Sequence, residues 1–183
     1  MQYNFSNFKT ELKRVEDFLG STYSQLNIGR ASPMVLDGVS VESYGSYVPL
    51  KNVASVSIED PKTLRIAPWD KSQIKDIERA IVGSNLGLSV ATDDGGIRVI
   101  FPQLTTETRQ TLVKVLKEKL EEARITVRRE REVVSSDIEA KEKEAKLTED
   151  DKFRAKEELQ KIINEVNANL EGIFEKKERE VMG

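Results

Sequence analysis

Three long segments of the chain carry apolar side chains at helical spacing, and each of them must bury its apolar stripe. In the first segment the apolar positions recur at steps of four, three, four and seven residues, which predicts a helix over residues 6–28. Its seam comprises Phe8, Leu12, Val15, Leu19 and Leu26. Gly29 then suits a helix C-terminus, and Pro33 discourages continuation of the helix.

The other two segments follow each other in the C-terminal part of the chain. A cap at Thr105 or Thr106 predicts a helix to about residue 146, and Thr148 is the predicted N-cap of the last helix. The second seam comprises Leu112, Leu116, Leu120, Ala123, Val127, Val134 and Ile138, and the third comprises Leu159, Ile162, Ile163, Val166, Leu170, Ile173 and Phe174. Because an isolated helix gains too little from propensity alone, the three stripes predict a long antiparallel three-helix bundle.

Between the first and second helices the apolar period changes to that of strands. Alternation and turn signals predict a helix over residues 71–82 and strands at 39–42, 53–58, 63–66, 88–91 and 97–101. Asp93-Asp94-Gly95-Gly96 is a strong hairpin signal and a weaker one for a cation loop, since calcium-loop spacing is absent. The fold class predicted is α+β, with a small β/α/β domain inserted into the bundle.

These patterns divide the chain into a bundle domain of residues 1–29 plus 105–183 and an inserted domain of residues 30–104. The chain crosses between them near 29–33 and near 101–105, and two adjacent short connections form a natural hinge. The predicted hinge residues are Gly29, Arg30, Ala31, Ser32, Pro33, Pro102, Gln103 and Leu104. The glycine and prolines serve equally well as helix terminators, so the pattern leaves both interpretations open.

The chain contains neither cysteine nor histidine. The lack of cysteine excludes disulfides, zinc–thiolate sites and thiol nucleophiles, and the lack of histidine removes the commonest general base and transition-metal ligand. We therefore expect neither an enzyme nor a bound metal or cofactor. No apolar run approaches the ~20 residues of a membrane span, and the N-terminus shows no secretory pattern, so we expect a cytoplasmic protein without membrane contact.

One basic stretch stands out in a chain whose net charge is −3, because Ala123–Arg131 holds four arginines in nine residues. At about 100° per residue, four basic positions lie within about 60° of one another beside the apolar seam. They are Lys117, Arg124, Arg128 and Arg131. Arg129 points away from this stripe. Since the planar arginine fork donates two hydrogen bonds to a phosphate at once, the stripe is a candidate site for an RNA backbone.

The alternative for this stripe is a solvated helix face. Exposed charge-rich helices commonly carry ion pairs between residues three or four apart, and Glu121 could pair with Arg124 or Arg128. Spacing alone favours this alternative. Few aromatic residues lie among the basic ones, so contact with a nucleic acid would involve its backbone rather than base stacking. The main rival from another class of function is a coiled-coil scaffold that binds only protein.

Several short motifs resemble one bacterial family. Gly29-Arg30-Ala31-Ser32-Pro33, followed by Leu36-Asp37-Gly38 and Val41, resembles a segment of the ribosome recycling factor. The later matching segments are Pro49-Leu50, Pro68-Trp69-Asp70, Leu86-Gly87-Leu88, Ile97-Arg98, Pro102 with Leu104-Thr105, Ala123-Arg124, Val127-Arg128 with Arg131, and Leu147-Thr148-Glu149-Asp150-Asp151. Together they span nearly the whole chain. Asn27-Ile28 and Glu132-Val133 depart from the family's usual pattern.

The resemblance implies an L-shaped, tRNA-sized molecule that binds the post-termination ribosome. Together with elongation factor G and GTP, such factors split the ribosome into subunits and release messenger and transfer RNA. In the family the basic stretch contacts large-subunit ribosomal RNA, which assigns that role to Arg128 and Arg131, with Arg124 and Lys117 as supporters. The hinge, including Arg30, would take the push from the GTPase. The factor itself hydrolyses nothing, and we expect a monomer that uses no cofactor and binds no DNA.

Overall fold

The computed structural model describes residues 3–183 of the chain, which fold into two compact units. The first unit comprises the described residues up to Tyr23 together with Gln110–Gly183, and the second comprises Ser24–Arg109. The first is helical, whereas the second combines strands with a short helix. The predicted α+β class, with a β-rich block inserted into a helical one, is therefore confirmed. Among the described residues, no helix is both long and apolar enough to cross a membrane.

Three long helices build the first unit. The α-helices of the chain are α1 (Ser6–Ser24), α2 (Ile74–Gly83), α3 (Thr106–Lys143) and α4 (Glu149–Met182). Near the end of α1, the Tyr23 hydroxyl donates to the carbonyl oxygen of Leu116, early in α3, at 2.6 Å. Just before α1, the Tyr3 hydroxyl donates to the carboxylate of Asp137, late in α3, at 2.5 Å. These two bonds show that α1 and α3 run antiparallel.

Helices α3 and α4 also run antiparallel, because only a short turn separates them and ion pairs connect their adjacent ends. Lys156 Nζ lies 2.7 Å from Glu139 Oε1, and Lys152 Nζ lies 3.2 Å from Glu142 Oε2. Since both α1 and α4 oppose α3, they are parallel to each other. The predicted antiparallel three-helix bundle is confirmed.

The predicted seams form the interior of this bundle. Fifteen of their residues are buried: Phe8, Leu12, Leu19, Leu116, Leu120, Ala123, Val127, Val134, Ile138, Leu159, Ile162, Ile163, Val166, Leu170 and Phe174. Full burial of a leucine-sized side chain contributes roughly 1.5–3 kcal/mol, so the seams are the main source of the bundle's stability. The one buried acid of the described bundle, Glu16, accepts a hydrogen bond from Asn169 at 2.8 Å and pairs with Lys13 at 3.3 Å.

The first helix ends at Ser24, four residues before the predicted end at residue 28. The side chain of Asn27 explains the difference. Its oxygen accepts a hydrogen bond from the Gly29 amide at 2.9 Å, and its amide donates to the Leu86 carbonyl at 3.1 Å. An asparagine that satisfies nearby backbone groups in this way competes with helix formation.

The turn between α3 and α4 ends in a capping box formed by Thr148 and Asp151. The Thr148 hydroxyl accepts a hydrogen bond from the Asp151 amide at 3.1 Å, and the Asp151 carboxylate accepts one from the Thr148 amide at 3.2 Å. The prediction of Thr148 as N-cap is confirmed. At the start of α3, Thr105 is the cap, since its hydroxyl accepts a hydrogen bond from the Thr108 amide at 3.1 Å.

Six antiparallel strands form two sheets in the second unit. The strands are β1 (Ser40–Ser43), β2 (Ser46–Pro49), β3 (Ala54–Asp60), β4 (Thr63–Pro68), β5 (Ser89–Asp93) and β6 (Gly96–Ile100). β1 pairs with β2, and the other four form one sheet in the order β3-β4-β6-β5. The predicted hairpin is confirmed, with Asp93 opposite Gly96 at its turn. Strand β2 was not predicted, because its four residues are exposed or half-buried and alternate poorly.

The four-stranded sheet separates an apolar core from a charged outer face. The core contains Leu64, Ile66, Ile77, Ile97, Val99 and Phe101, each fully shielded from solvent. On the outer face Arg65 donates two hydrogen bonds of 2.6 Å to Asp93, and Arg98 bridges Asp93 and Glu59. These bonds, those from Arg65 above all, hold the pKa of Asp93 well below its usual range. The Asp93 carboxylate therefore has its partners within the protein.

The capping box predicts a local stability effect. Thr148→Ala removes the hydroxyl that satisfies the Asp151 amide, so we expect the free energy of unfolding to fall by about 1 kcal/mol in urea denaturation followed by circular dichroism. Thr126→Ala is the matched control, because the Thr126 hydroxyl bonds the Glu122 carbonyl inside α3 and caps nothing. Equal losses from both variants would refute a special role for the turn.

Candidate nucleic-acid interface

The bundle brings the predicted arginines together along the α3–α4 edge. A shallow depression of about 340 Å³ lies there. Its lining residues are Arg124, Val127, Arg128, Arg131, Ile163 and Asn167. Three of the four predicted basic residues therefore share one surface feature. Lys117, about two turns earlier on α3, is exposed but does not line the depression, and neither does Arg129.

The apolar seam fixes this arrangement. Val127 is 2% exposed and Ala123 is 9% exposed, so α3 must present this face to the bundle interior. Arg124 and Arg128 flank Val127 on the α4 side, since side chains three and four residues apart lie on one helix face. Their position at the edge of the interface lets the aliphatic stems pack while the guanidinium groups reach solvent.

Arg124 differs from the other arginines in having an acidic partner. Its guanidinium pairs with the carboxylate of Glu171 on α4, and both side chains are about 40% exposed (38% and 42%). The Glu121 pairing considered above for Arg124 or Arg128 is not among the ion pairs of the described residues. The solvated-face alternative thus has the right kind of interaction for Arg124, but the partner lies on another helix.

The Arg124–Glu171 pair also influences a residue of α1, the remaining helix of the bundle. Burial raises the pKa of Tyr23 on α1 to about 12, the negative charge of Glu171 adds to the rise, and the positive charge of Arg124 opposes it. The pair therefore lies where α1, α3 and α4 meet.

Arg128 and Arg131 are exposed, and within the described residues neither forms an ion pair or a side-chain hydrogen bond. Each guanidinium therefore keeps its donors available. The two residues are three apart, which places them about 4.5 Å apart along a rigid helix axis. Two unpaired forks on one rod can grip successive groups of an anionic backbone, whereas no aromatic side chain lines the depression for base stacking.

The sequence prediction missed Glu171, Asn167 and Ile163 as parts of this surface. All three lie on α4, and their relation to α3 depends on the cross-helix register, which periodicity within one segment does not reveal. The acidic turn at 93–96 and the other carboxylates form no group of three or more in the described part of the chain that could hold a metal ion.

The predicted hinge residues all fall in the second unit, where the two connections lie side by side. Gly29 has a φ of +76°, and a Cβ atom there would lie 3.1 Å from the Pro102 carbonyl oxygen. The Ala31 amide donates to the Pro61 carbonyl at 2.9 Å, and the Phe101 amide donates to the Lys62 carbonyl at 2.8 Å. Both connections are thus anchored on the β3–β4 turn, while movement about them stays a prediction.

Comparison with known proteins identifies the chain's family. A family model described as ribosome recycling factor matches residues 19–182. The chain belongs to the ribosome recycling factor family. The ribosome-recycling factor of Alcanivorax borkumensis is 38% identical over 177 residues, which cover 97% of this chain and 96% of that protein. That of Alkaliphilus metalliredigens is 40% identical over 177 residues, covering 93% of this chain and 96% of the relative.

Solved structures of recycling factors share the fold. A solution structure of the ribosome recycling factor superposes with a TM-score of 0.75 at 32% identity and covers 100% of this chain and 99% of its own. A second has a TM-score of 0.65 at 35% identity, with 98% and 97% of the two chains covered. It belongs to models of the Thermus thermophilus ribosome recycling factor and the Escherichia coli elongation factor G bound to the E. coli post-termination complex. The family resemblance predicted from the motifs is confirmed.

The crowding at Gly29 predicts a destabilising substitution. Gly29→Ala adds backbone strain at a positive φ and a tight contact with the Pro102 carbonyl, so we expect a loss of about 2 kcal/mol or more. Gly45→Ala is the control, because its φ of +81° is similar but nothing lies within 4 Å of the added Cβ. We expect it to cost about 1 kcal/mol. Urea denaturation followed by the fluorescence of Trp69, the chain's single tryptophan, measures both losses. A smaller loss at Gly29 than at Gly45 would show that the contact with Pro102 relaxes freely.

Proposed function

We propose that this chain binds the post-termination ribosome and, with elongation factor G and GTP, splits it into subunits and releases messenger and transfer RNA. The observation that carries the proposal is the pair of exposed, unpaired arginines, Arg128 and Arg131, at the α3–α4 depression of a recycling-factor fold. Support for the partners comes from the models of the T. thermophilus ribosome recycling factor and the E. coli elongation factor G bound to the E. coli post-termination complex.

The contact to the ribosome is proposed to be made with large-subunit ribosomal RNA. Arg128 and Arg131 donate to phosphate oxygens, because their forks have no acidic partner among the described residues and are less tightly hydrated than ammonium groups. Lys117 and Arg124 support this contact from the same face of α3. Lys117 adds positive charge without lining the depression, and Arg124 lines one end of it.

The proposed role requires binding and transmission of force from this chain, and bond cleavage only from its GTPase partner. The chain acts as a cytoplasmic monomer without a cofactor of its own, and it needs no contact with membrane or DNA. The inserted domain receives the push, and the hinge comprises Gly29, Arg30, Ala31, Ser32 and Pro33 with Pro102, Gln103 and Leu104. Two connections anchored on one turn suit this role, because a force on the inserted domain would reach both of them together.

The RNA contact is tested by charge reversal at Arg131. We expect Arg131→Glu to weaken binding to purified large ribosomal subunits by at least about tenfold, since it removes a charge-assisted hydrogen bond and adds repulsion. Arg129→Glu is the matched control, with the same charge change on the same helix at an exposed position outside the depression. It should change the Kd by no more than about twofold. Circular dichroism should show equal helicity, and equal binding losses from the two variants would contradict the assignment.

The overall activity is tested by splitting. Incubation of post-termination ribosomes with this protein, elongation factor G and GTP should produce free subunits, measured by light scattering, and omission of any one component should abolish it. The affinity for large subunits should also fall steeply with salt, with a log–log slope of about −0.7 to −0.9 for each phosphate contact. Absence of free subunits would rule out the proposal. A complex insensitive to salt would favour the protein-only scaffold instead.

A further inference from the structure

Ion pairs connect α3 to α4 on both sides of the arginine pair. Arg124 pairs with Glu171, and Glu139 pairs with Lys156. Fifteen residues separate Arg124 from Glu139 on α3, and fifteen separate Glu171 from Lys156 on α4. The two helices therefore keep one register over this distance, with each step forward on α3 matched by an equal step back on α4.

This register places an uncharged residue opposite each unpaired arginine. Four residues after Arg124 is Arg128, and four residues before Glu171 is Asn167, which lines the depression together with Arg128. Seven residues after Arg124 is Arg131, and seven residues before Glu171 is Asn164, which is also uncharged. The buried Ile163 beside it lines the depression. Asn167 is half-buried, and its amide makes no hydrogen bond to another described residue. Among the described residues no α3–α4 ion pair lies between Arg124–Glu171 and Glu139–Lys156, and both free arginines fall within this gap.

We propose that α4 determines which arginines of α3 can bind phosphate, through the charge it presents opposite each of them. Asn167 leaves Arg128 available because an amide cannot neutralise it, whereas Glu171 occupies Arg124 and takes it out of the set of phosphate contacts. Both are positioning residues. The inference rests on the proposed RNA contact of Arg128 and Arg131 and specifies how Arg124 supports it, which is by neutralising an acid at the edge of the site.

Asparagine and aspartate have the same shape, so one substitution at position 167 changes only the charge. A carboxylate at this position would place a negative charge in the depression that Arg128 also lines. An ion pair with Arg128 would stabilise the bundle slightly or leave it unchanged, because the pair would be solvent-accessible. The same change makes the Arg128 guanidinium less available for a phosphate contact. Binding should therefore weaken without any loss of stability, which a merely structural role of Asn167 would not produce.

The first test compares three variants on purified large ribosomal subunits over a range of salt concentrations. Asn167→Asp should weaken binding about tenfold, as for the loss of one charge-assisted hydrogen bond, and reduce the salt slope by about 1. Its Tm should be equal to or above that of the wild type. Asn167→Ala, which adds no charge, should weaken binding far less than Asn167→Asp does. Asn7→Asp makes the same isosteric change at an exposed position of α1 and should bind normally.

The second test makes the opposite change one turn away. Glu171→Gln frees the Arg124 fork, so binding should tighten about threefold and the salt slope should steepen by about 1. The Tm should fall, because a cross-helix ion pair is lost. Glu165→Gln removes the same charge from an exposed position of α4 outside the depression and should leave the Kd within about 1.5-fold of wild type.

Arg131→Glu is measured in parallel, because it distinguishes failure of the proposed RNA contact from failure of the proposed role of α4. If it binds as tightly as wild type, the proposed RNA contact itself is wrong. If it weakens binding while Asn167→Asp does not, the role of α4 is overturned and the RNA contact stands. If Asn167→Ala weakens binding as much as Asn167→Asp, Asn167 touches the RNA directly and the charge-based inference is overturned. Weaker binding by Glu171→Gln would likewise overturn it, because Glu171 would then be presenting Arg124 to the RNA.

Discussion

Burial of three apolar stripes against one another is the constraint on which the rest of this molecule depends. Leu116, Val127 and Ile138 must face inward along α3, and this requirement fixes the rotation of the helix about its axis. The position of every other side chain on α3 follows from that rotation. Arg124, Arg128 and Arg131 lie at the α3–α4 edge because of it, Arg124 partly buried and the other two exposed.

The depression at the α3–α4 edge shows how a candidate binding site can arise from side chains that have no ion-pair partner. A long, charge-rich helix pair gains modestly from each ion pair across its interface. The described residues of α3 and α4 form three such pairs, at Glu171, Lys156 and Lys152 on the α4 side. Where α4 presents Asn167 and Ile163 instead, that small gain is absent and two guanidinium groups stay open to solvent. The local departure from the general pattern of the interface is what marks the site, more than the number of arginines.

Periodicity within each segment was enough to predict the bundle, the inserted β-rich block, the hairpin at Asp93–Gly96 and the cap at Thr148. These features depend on residues close together in sequence. The end of α1 at Ser24 could not be predicted in this way, because the Asn27 side chain bonds a carbonyl of Leu86, far along the chain. The partner of Arg124 was missed for the same physical reason. Cross-helix register is set by packing, and a seam gives the rotation of a helix but not its alignment with a neighbour.

The close approach of Gly29 to Pro102 has a consequence for how the chain assembles during synthesis. During synthesis α1 emerges from the translating ribosome well before α3, the helix against which it packs. Roughly eighty residues separate the end of α1 from the start of α3. Closing a flexible loop of this length costs about 4 kcal/mol in chain entropy. Once the intervening unit has folded, its two ends lie against each other, and the remaining closure is that of a very short link. Prior folding of the β-rich unit thus lowers the entropic cost of bringing α1 to α3, although the two helices are distant in sequence.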